Sequence, residues 1–300
     1  SSMPRENFND LLVFVTVARE GSFTRAAAQL GVSQSALSHT VRGLEERLGV
    51  RLLTRTTRGV TTTEAGGQLF QSVGPRFEEI DAELAAVSQF RDKPAGTIRI
   101  TAAEHAAITV LYPKLSKALS AYPDIKVEIT IDYALTDIVS QRYDAGVRLG
   151  NQVAKDMIAV RVGPDLRMAV VGAPAYFSNR KRPRSPHDLA DHNCINRRLP
   201  TYGGIYAWEL SNGKQELNVR VEGQWVFNSS TPVLRAALDG LGLAFLPEDM
   251  VLEHIAAGRL IRVLDSWCQP FAGYHLYYAN RRQFSRALQV VVEALRHPCG

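Results

Sequence analysis

Gln34, Ser35, Ser38, His39 and Arg42 place an amide, two hydroxyls, an imidazole and a guanidinium within nine residues of chain. These groups donate and accept hydrogen bonds in the patterns that base-pair edges offer in the DNA major groove. Their spacing keeps them on one side of a helix. Thr24 lies just upstream, and Arg51, Arg55 and Arg58 follow. Arginines so placed meet phosphates, which gives register and salt-dependent affinity without sequence information. Between Arg19 and Thr63 there are seven arginines and no lysine against three acids, a local balance of +4. The expected DNA-contacting set is Thr24, Gln34, Ser35, Ser38, His39, Arg42, Arg55 and Arg58.

These side chains need a scaffold, and residues 23–48, FTRAAAQLGVSQSALSHTVRGLEERL, supply one. Ala26, Ala27 and Leu30 form the inward stripe of a first helix, closed by Gly31, where glycine tolerates the left-handed conformation. Val32 is expected to plug the turn and Ser33 to cap a second helix. Ala36, Leu37, Val41, Leu44 and Leu48 make that helix's apolar stripe. Upstream, Leu11, Leu12, Val15 and Ala18 predict another amphipathic helix, with Phe8 and Phe14 available to the same core. Downstream, residues 49–66, GVRLLTRTTRGVTTTEAG, read as a short two-stranded wing with its tip at Arg58-Gly59. A helical hairpin with a solvated polar face is the plain alternative. The flanking elements favour a winged helix-turn-helix over residues 1–63.

Residues 64–91 read as one long helix. Leu69, Val73, Phe77, Ile80, Leu84 and Val87 are spaced by 4, 4, 3, 4 and 3 residues, close to the repeat of a helix that pairs with another helix. Gly74-Pro75 predicts a bend within it. The helix leads to the linker Arg91 to Gly96, so its expected role is dimerisation. A homodimer would set two recognition helices on an imperfectly palindromic site in double-stranded DNA.

Residues 92–300 alternate strand and helix patterns, which indicates an α/β sheet with ligand sites at the strands' C-terminal ends. Strands are expected at 97–103, 126–133 and 145–150, helices at 106–123, 136–143 and 285–297, and a hairpin turning at Asn212-Gly213. Two subdomains fit, one approximately 97–163 with 270–300 and the other approximately 168–266, the chain crossing near 163–168 and 266–272. The candidate cleft residues are Ala103, Glu104, His105, Tyr133, Thr136, Arg148, Asn196, Arg197, Asn228 and Ser229. Helix-start N–H groups and arginines favour a carboxylate or other anion. Glu104 itself occupies an anion position, which points to a ligand carrying an amine or several hydroxyls. Each residue alone also reads as a cap or loop group; together they predict a ligand cleft.

The unbroken block GSFTRAAAQLGVSQSALSHTVRGLEERLGVRLLTRTTRGVTTTEAG, with DAGVRLG (144–150) and GLGLAFLP (240–247), closely resembles the LysR-type family of bacterial transcriptional regulators. The resemblance implies an α/β fold with an N-terminal winged helix-turn-helix, a long linker helix and a two-subdomain sensor similar to periplasmic binding proteins. It implies a small-molecule effector between the subdomains, dimers that pair into homotetramers, and action on RNA polymerase. Effector binding is then expected to alter the angle between the subdomains and the spacing of the paired DNA-binding domains.

The rest of the sequence argues against other classes. The net charge of +5 is mild, and the clustering of arginine is what points to DNA. No apolar run reaches the ~18 residues of a membrane span. LLVFVTVA is short and followed by Arg19-Glu20 with no cleavage-type sequence, so a cytoplasmic protein is expected. Cys194, Cys268 and Cys299 lack paired or zinc-type spacing. His187, Asp188, Asp191 and His192 near Cys194 read as a polar loop, and the run Arg180 to Arg184 as a solvated connection. No phosphate-binding loop, nucleophile elbow or HExxH pair is present. No enzyme, metal or cofactor is expected. An architectural DNA binder is the remaining alternative.

Overall fold

The computed structural model describes residues 8–87, 90–134, 137–152, 156–200, 203–279 and 284–298. Its contacts divide the chain into two compact units, one ending at Phe90 and the other beginning at Arg91. In the first unit α1 (Phe8–Glu20) precedes α2 (Phe23–Leu30) and α3 (Gln34–Leu48), followed by β1 (Leu53–Thr56), β2 (Gly59–Thr62) and the long α4 (Glu64–Val87). The Ser22 hydroxyl accepts from the Arg25 N–H at the start of α2, and Ser33 does the same for Ala36 at the start of α3. Gly31 and Gly49 end these helices, each at φ 67°. β1 and β2 pair antiparallel from Leu53↔Thr62 to Thr56↔Gly59.

Phe14, Val17, Ala26, Leu37, Val41 and Leu44 close a core at the centre of the three helices. The expected stripe of α3 holds only in part, because Leu37, Val41 and Leu44 are buried whereas Ala36 is exposed and Leu48 is 43% exposed. The core ends one turn before Leu48. Val32 and Phe8, expected to pack, stand at the surface because the turn and the first helical turn lie outside this core. A contact not anticipated ties the wing to α3: Glu45 Oε1 accepts from the N–H groups of Leu52 and Leu53 at 2.8 and 3.1 Å. The start of α4 is seated on the wing, where Thr63 N–H donates to the Leu52 carbonyl and Gly66 packs directly over it.

The seam of α4 is divided. Leu69, Val73 and Phe77 pack on the unit's own core, whereas Ile80, Leu84 and Val87 are exposed. Pro75 does not end the helix, and Gly74 before it is buried.

The second unit has two lobes. In lobe I, β3 (Gly96–Ala102) leads to a helical stretch of α5 (Glu104–Ala106), a wide turn at Ala107–Leu111 and α6 (Tyr112–Ala118), then to β4 (Ile125–Ile131), β5 (Ala145–Leu149) and β6 (Met157–Arg161). Lobe II contains β7 (Met168–Gly172), α7 (Pro174–Phe177), β8 (Asn196–Arg197), β9 (Trp208–Ser211), β10 (Glu216–Val219), β11 (Val226–Phe227), α8 (Ser230–Leu238), β12 (Ala244–Pro247), α9 (Glu248–Ala256) and β13 (Ile261–Val263). The chain returns to lobe I with β14 (Tyr274–Ala279) and α10 (Arg286–Leu295). One sheet has the order β4-β3-β5-β14-β6 and the other β12-β7-β13. β3 runs parallel to β4 and β5, so their C-terminal ends open on one edge, where α5 begins. The hairpin pairs β9 with β10 around Asn212-Gly213, with Gly213 at φ 85°.

The two crossings run side by side. Leu166 and Phe271 exchange both backbone hydrogen bonds at 2.9 Å, and Val162 N–H donates to Tyr274. A Cβ on Gly273 would stand 1.9 Å from the Pro164 carbonyl oxygen, so only glycine permits this approach. In lobe II, Arg167 and Arg262 both pair with Glu248 and Asp265, at distances from 2.5 to 3.1 Å.

One predicted helix is absent. Residues 138–142 form turns, with Arg142 at φ 59° and Tyr143 N–H returning to the Ile138 carbonyl. Buried Ile138 anchors the segment, and one apolar anchor beneath a polar run is too little to hold a helix face on the sheet.

Candidate DNA interface and ligand cleft

The outer face of α3 gathers part of the predicted DNA-contacting set. Ser33, Gln34, Ser35, Ser38 and Arg55 line one open depression. Thr24 Oγ1 donates to Gln34 Oε1 at 3.3 Å, which joins the two helices of the turn through side chains that are both exposed. Arg55, on β1, donates to Ser38 Oγ and lays its guanidinium over the buried Phe23 ring at 4.5 Å. Planar stacking and a directed hydrogen bond hold the cation, with no acid partner among the described residues, so its charge remains available to phosphate. His39 and Arg42 continue along the same face and are exposed. Arg58 is exposed at the wing tip, where its N–H donates to Thr56 Oγ1.

In the second unit a cavity of about 740 Å³ lies between the lobes. It is lined from lobe I by Ala103, Glu104, His105, Tyr133, Arg148 and Tyr274, and from lobe II by Arg197, Tyr206, Trp208, Thr231, Phe245 and Asp249 among others. His105 spans the lobes. Its Nδ1 meets Tyr274 Oη at 2.8 Å, and its Nε2 meets the Asp249 carboxylate at 2.7 Å. Glu104 spans them too, with Oε2 at 3.4 Å from Tyr133 Oη, 3.5 Å from Ser229 Oγ and 3.2 Å from Thr231 Oγ1. Burial pushes the Tyr274 and Tyr206 hydroxyls up, so both stay neutral donors at ordinary pH.

The predicted cleft residues divide on inspection. Ala103, Glu104, His105, Tyr133 and Arg197 line the cavity, and Ser229 reaches it through Glu104. Arg148 borders it, but its guanidinium donates to the Thr101, Val147 and Ala134 carbonyls and to Thr101 Oγ1. That side chain is 2% exposed and serves as a knot among strand ends more than as a ligand donor. Asn196, the first residue of β8, is buried with its amide donating to the Val221 carbonyl, and Asn228 is exposed and does not line the cavity. Both were placed in the cleft by chain position alone, which gives the strand end and not the side chain's direction. Thr136 lies outside the described residues. Asp249 and the aromatic wall of Tyr206, Trp208 and Phe245 were missed. Asp249 stands at a helix start just after β12, so the strand-end rule that found Glu104 could have found it too.

Other groups singled out in the sequence have structural employment. Asp188 accepts from the Arg184 and Ser185 N–H groups, which hold its carboxyl below the usual range, and His192 bonds to Tyr176. Arg180 stacks over the Tyr176 ring at 4.5 Å and Arg182 over Phe177 at 5.8 Å, so this run is not a purely solvated connection. Burial raises the Cys194 thiol to about 12 and also raises that of Cys268. A raised value leaves the thiol protonated and unreactive. Native protein treated with iodoacetamide at pH 8 is therefore expected to show both cysteines unmodified on peptide mapping, with labelling appearing only after denaturation.

A winged helix-turn-helix with a basic outer face, joined to a two-lobed α/β unit with a central cavity, defines the class of ligand-controlled DNA-binding regulators. Residues 8–67 match the bacterial regulatory helix-turn-helix family of lysR type, and residues 91–299 match the LysR substrate binding domain. The chain belongs to the LysR family of DNA-binding transcriptional regulators. It is 51% identical to the HTH-type transcriptional regulator PgrR of Escherichia coli, across 98% of this chain and 99% of that one. It is 34% identical to PtxR of Pseudomonas aeruginosa, across 98% and 93% of the two chains. Among solved structures, CrgA of Neisseria meningitidis shares 27% identity and a TM-score of 0.56 over 97% of this chain and 99% of its own. The full-length virulence activator AphB of Vibrio cholerae has the same fold, at 23% identity and a TM-score of 0.71 over 96% and 98%. These relatives are regulators of transcription and not enzymes. No described helix is long and apolar enough to cross a membrane.

Proposed function

We propose that Gln34, Ser35 and Ser38 read base edges, with Thr24 fixing Gln34 and with His39, Arg42, Arg55 and Arg58 meeting base edges or phosphates along the same face. The observation that carries this is the clustering of Gln34, Ser35, Ser38 and Arg55 around one depression on the exposed side of α3. Residues 1–63 form the DNA-binding domain, 64–91 the dimerisation helix and 92–300 the effector-binding domain. The exposed Ile80, Leu84 and Val87 give the helix its pairing surface. The dimer spans an imperfect dyad in the cytoplasm, pairs into a tetramer and acts on RNA polymerase.

The cavity between the lobes is the effector site. Glu104 and His105 each touch both lobes, so a ligand displacing or joining these contacts changes the energy of one lobe arrangement relative to another.

Affinity selection of fragmented source genome by the protein at two salt concentrations tests the reading. A shared dyad enriched at both supports it; flat, salt-sensitive recovery even with cell extract present indicates an architectural binder instead. Gln34→Ala is expected to flatten preference at one position of each half-site, with a loss of about 1–3 kcal/mol for the preferred base. Unchanged selectivity in a competition assay would remove Gln34 from the base-reading set.

A further inference from the structure

The charges around the cavity do not all find partners among the described residues. The Asp249 carboxylate is hydrogen-bonded to His105 Nε2 at 2.7 Å. Arg148 spends its terminal donors on three carbonyls and a hydroxyl, although its buried Nε has no partner among the described residues. Glu209 and Glu216 lie exposed on the β9–β10 hairpin, and Glu209 is hydrogen-bonded to the Tyr206 side chain. Two groups are left. Glu104 faces three hydroxyls and, among the described residues, no cation within ion-pair distance. Among the described residues Arg197 has no acid partner, and its buried Nε has no hydrogen-bond partner.

Both unmatched groups adjoin one side chain. The Tyr133 hydroxyl meets Glu104 at 3.4 Å, and the Tyr133 ring faces the Arg197 guanidinium at 5.5 Å. The Tyr206 ring holds Arg197 from lobe II, at 5.9 Å. One site of each sign within a tyrosine's reach, each bordered by both lobes, calls for a ligand carrying one charge of each sign. A second carboxylate on the ligand would meet the Glu104 carboxylate, which reaches Ser229 and Thr231 at the start of α8, and be repelled. There the residue's own carboxylate already occupies the anion position.

We infer that the effector is a small zwitterion of amino-acid type, its carboxylate held by Arg197 and its ammonium by Glu104. This rests on the reading of the cavity as the effector site. Its apolar substituent lies against the wall formed by Tyr206, Phe245 and Trp208, whose rings stack at 6.5 and 5.4 Å. A volume of about 740 Å³ leaves room for a large substituent.

The test uses the full-length protein and the twenty standard L-amino acids, each compared with its N-acetyl and methyl ester derivatives, with succinate and glutarate as dicarboxylates. Thermal shift screening at millimolar concentration is followed by calorimetry of whatever binds. At least one free amino acid with an apolar side chain is expected to raise the Tm, while its two derivatives do not. Glu104→Gln and Arg197→Met are each expected to weaken that binding at least tenfold; the near-isosteric Glu104→Gln keeps the test valid should Arg197→Met fold poorly. Equal binding of the N-acetyl form, binding of dicarboxylates alone, or no binding by any free amino acid overturns the zwitterion. Should a dicarboxylate bind and be lost on Trp208→Ala, the cavity stands as the effector site while the zwitterion fails. Binding untouched by all three substitutions lies outside the cavity, and both readings then fail.

Discussion

Gly66→Ala is expected to uncouple the wing from the long helix and to weaken specific DNA binding more than tenfold. The added Cβ would stand 1.9 Å from the Leu52 carbonyl oxygen, a contact that no rotamer relieves because the obstruction is backbone. That carbonyl also accepts from the Thr63 N–H, and Leu52 is itself 2% exposed and hydrogen-bonded through its own N–H to Glu45. Moving the carbonyl therefore strains the cap of α4, the core and the tie between wing and α3 together. Overpacking of this kind costs about 3 kcal/mol, a large share of a small unit's stability. Calorimetry should show the transition of the N-terminal unit lowered, with operator affinity falling more than tenfold. An unchanged thermogram and unchanged affinity would show that the helix and wing separate freely.

Arg55→Ala is the second large effect, and it is expected on every DNA sequence. Removing one phosphate-directed cation lowers the slope of log affinity against log salt by about 1. It also removes the hydrogen bond to Ser38 and uncovers the Phe23 ring, so the recognition face loses a neighbour as well as a charge. Arg55→Lys separates these contributions. Lysine keeps the charge, and hence the slope, but has no planar group to stack on Phe23 while reaching Ser38. Filter binding across a salt series with operator and non-operator DNA measures both. A slope unchanged in Arg55→Ala would mean that this arginine positions Ser38 and never meets phosphate.

Much of the DNA-binding unit was legible because local signals agreed with one another. The Ser33 cap and the spacing of Leu37, Val41 and Leu44 specify α3 by independent physics, and Gly31 ends α2 just before it. Contacts between residues far apart in sequence were not legible. His105 and Asp249 are 144 residues apart, and nothing local to either announces the other. Glu45 reads as one more acid on a solvated helix until the wing folds back on it. Gly66 reads as a weak helix residue, whereas the fold requires the absence of its side chain. In the cleft, strand order located Glu104 and Arg197, but it could not tell that Arg148 and Asn196 turn their polar atoms into the protein. Residues 136–143 misled because polar and apolar residues alternate there at helix-like intervals over a segment too short to bury a face.

The doubled crossing between the lobes limits what the sensor can communicate. A single connecting strand would let one lobe twist, slide or tumble relative to the other. Two antiparallel segments joined through Leu166 and Phe271, with Gly273 pressed against Pro164, resist shear because sliding would break both hydrogen bonds and drive backbone into backbone. What survives is rotation about the axis that runs across the paired segments, as in a door hung on two pins. On the proposed function, a ligand's information would be reduced to one coordinate, the opening angle, and mutations at the pins are expected to change its range without touching any group that binds.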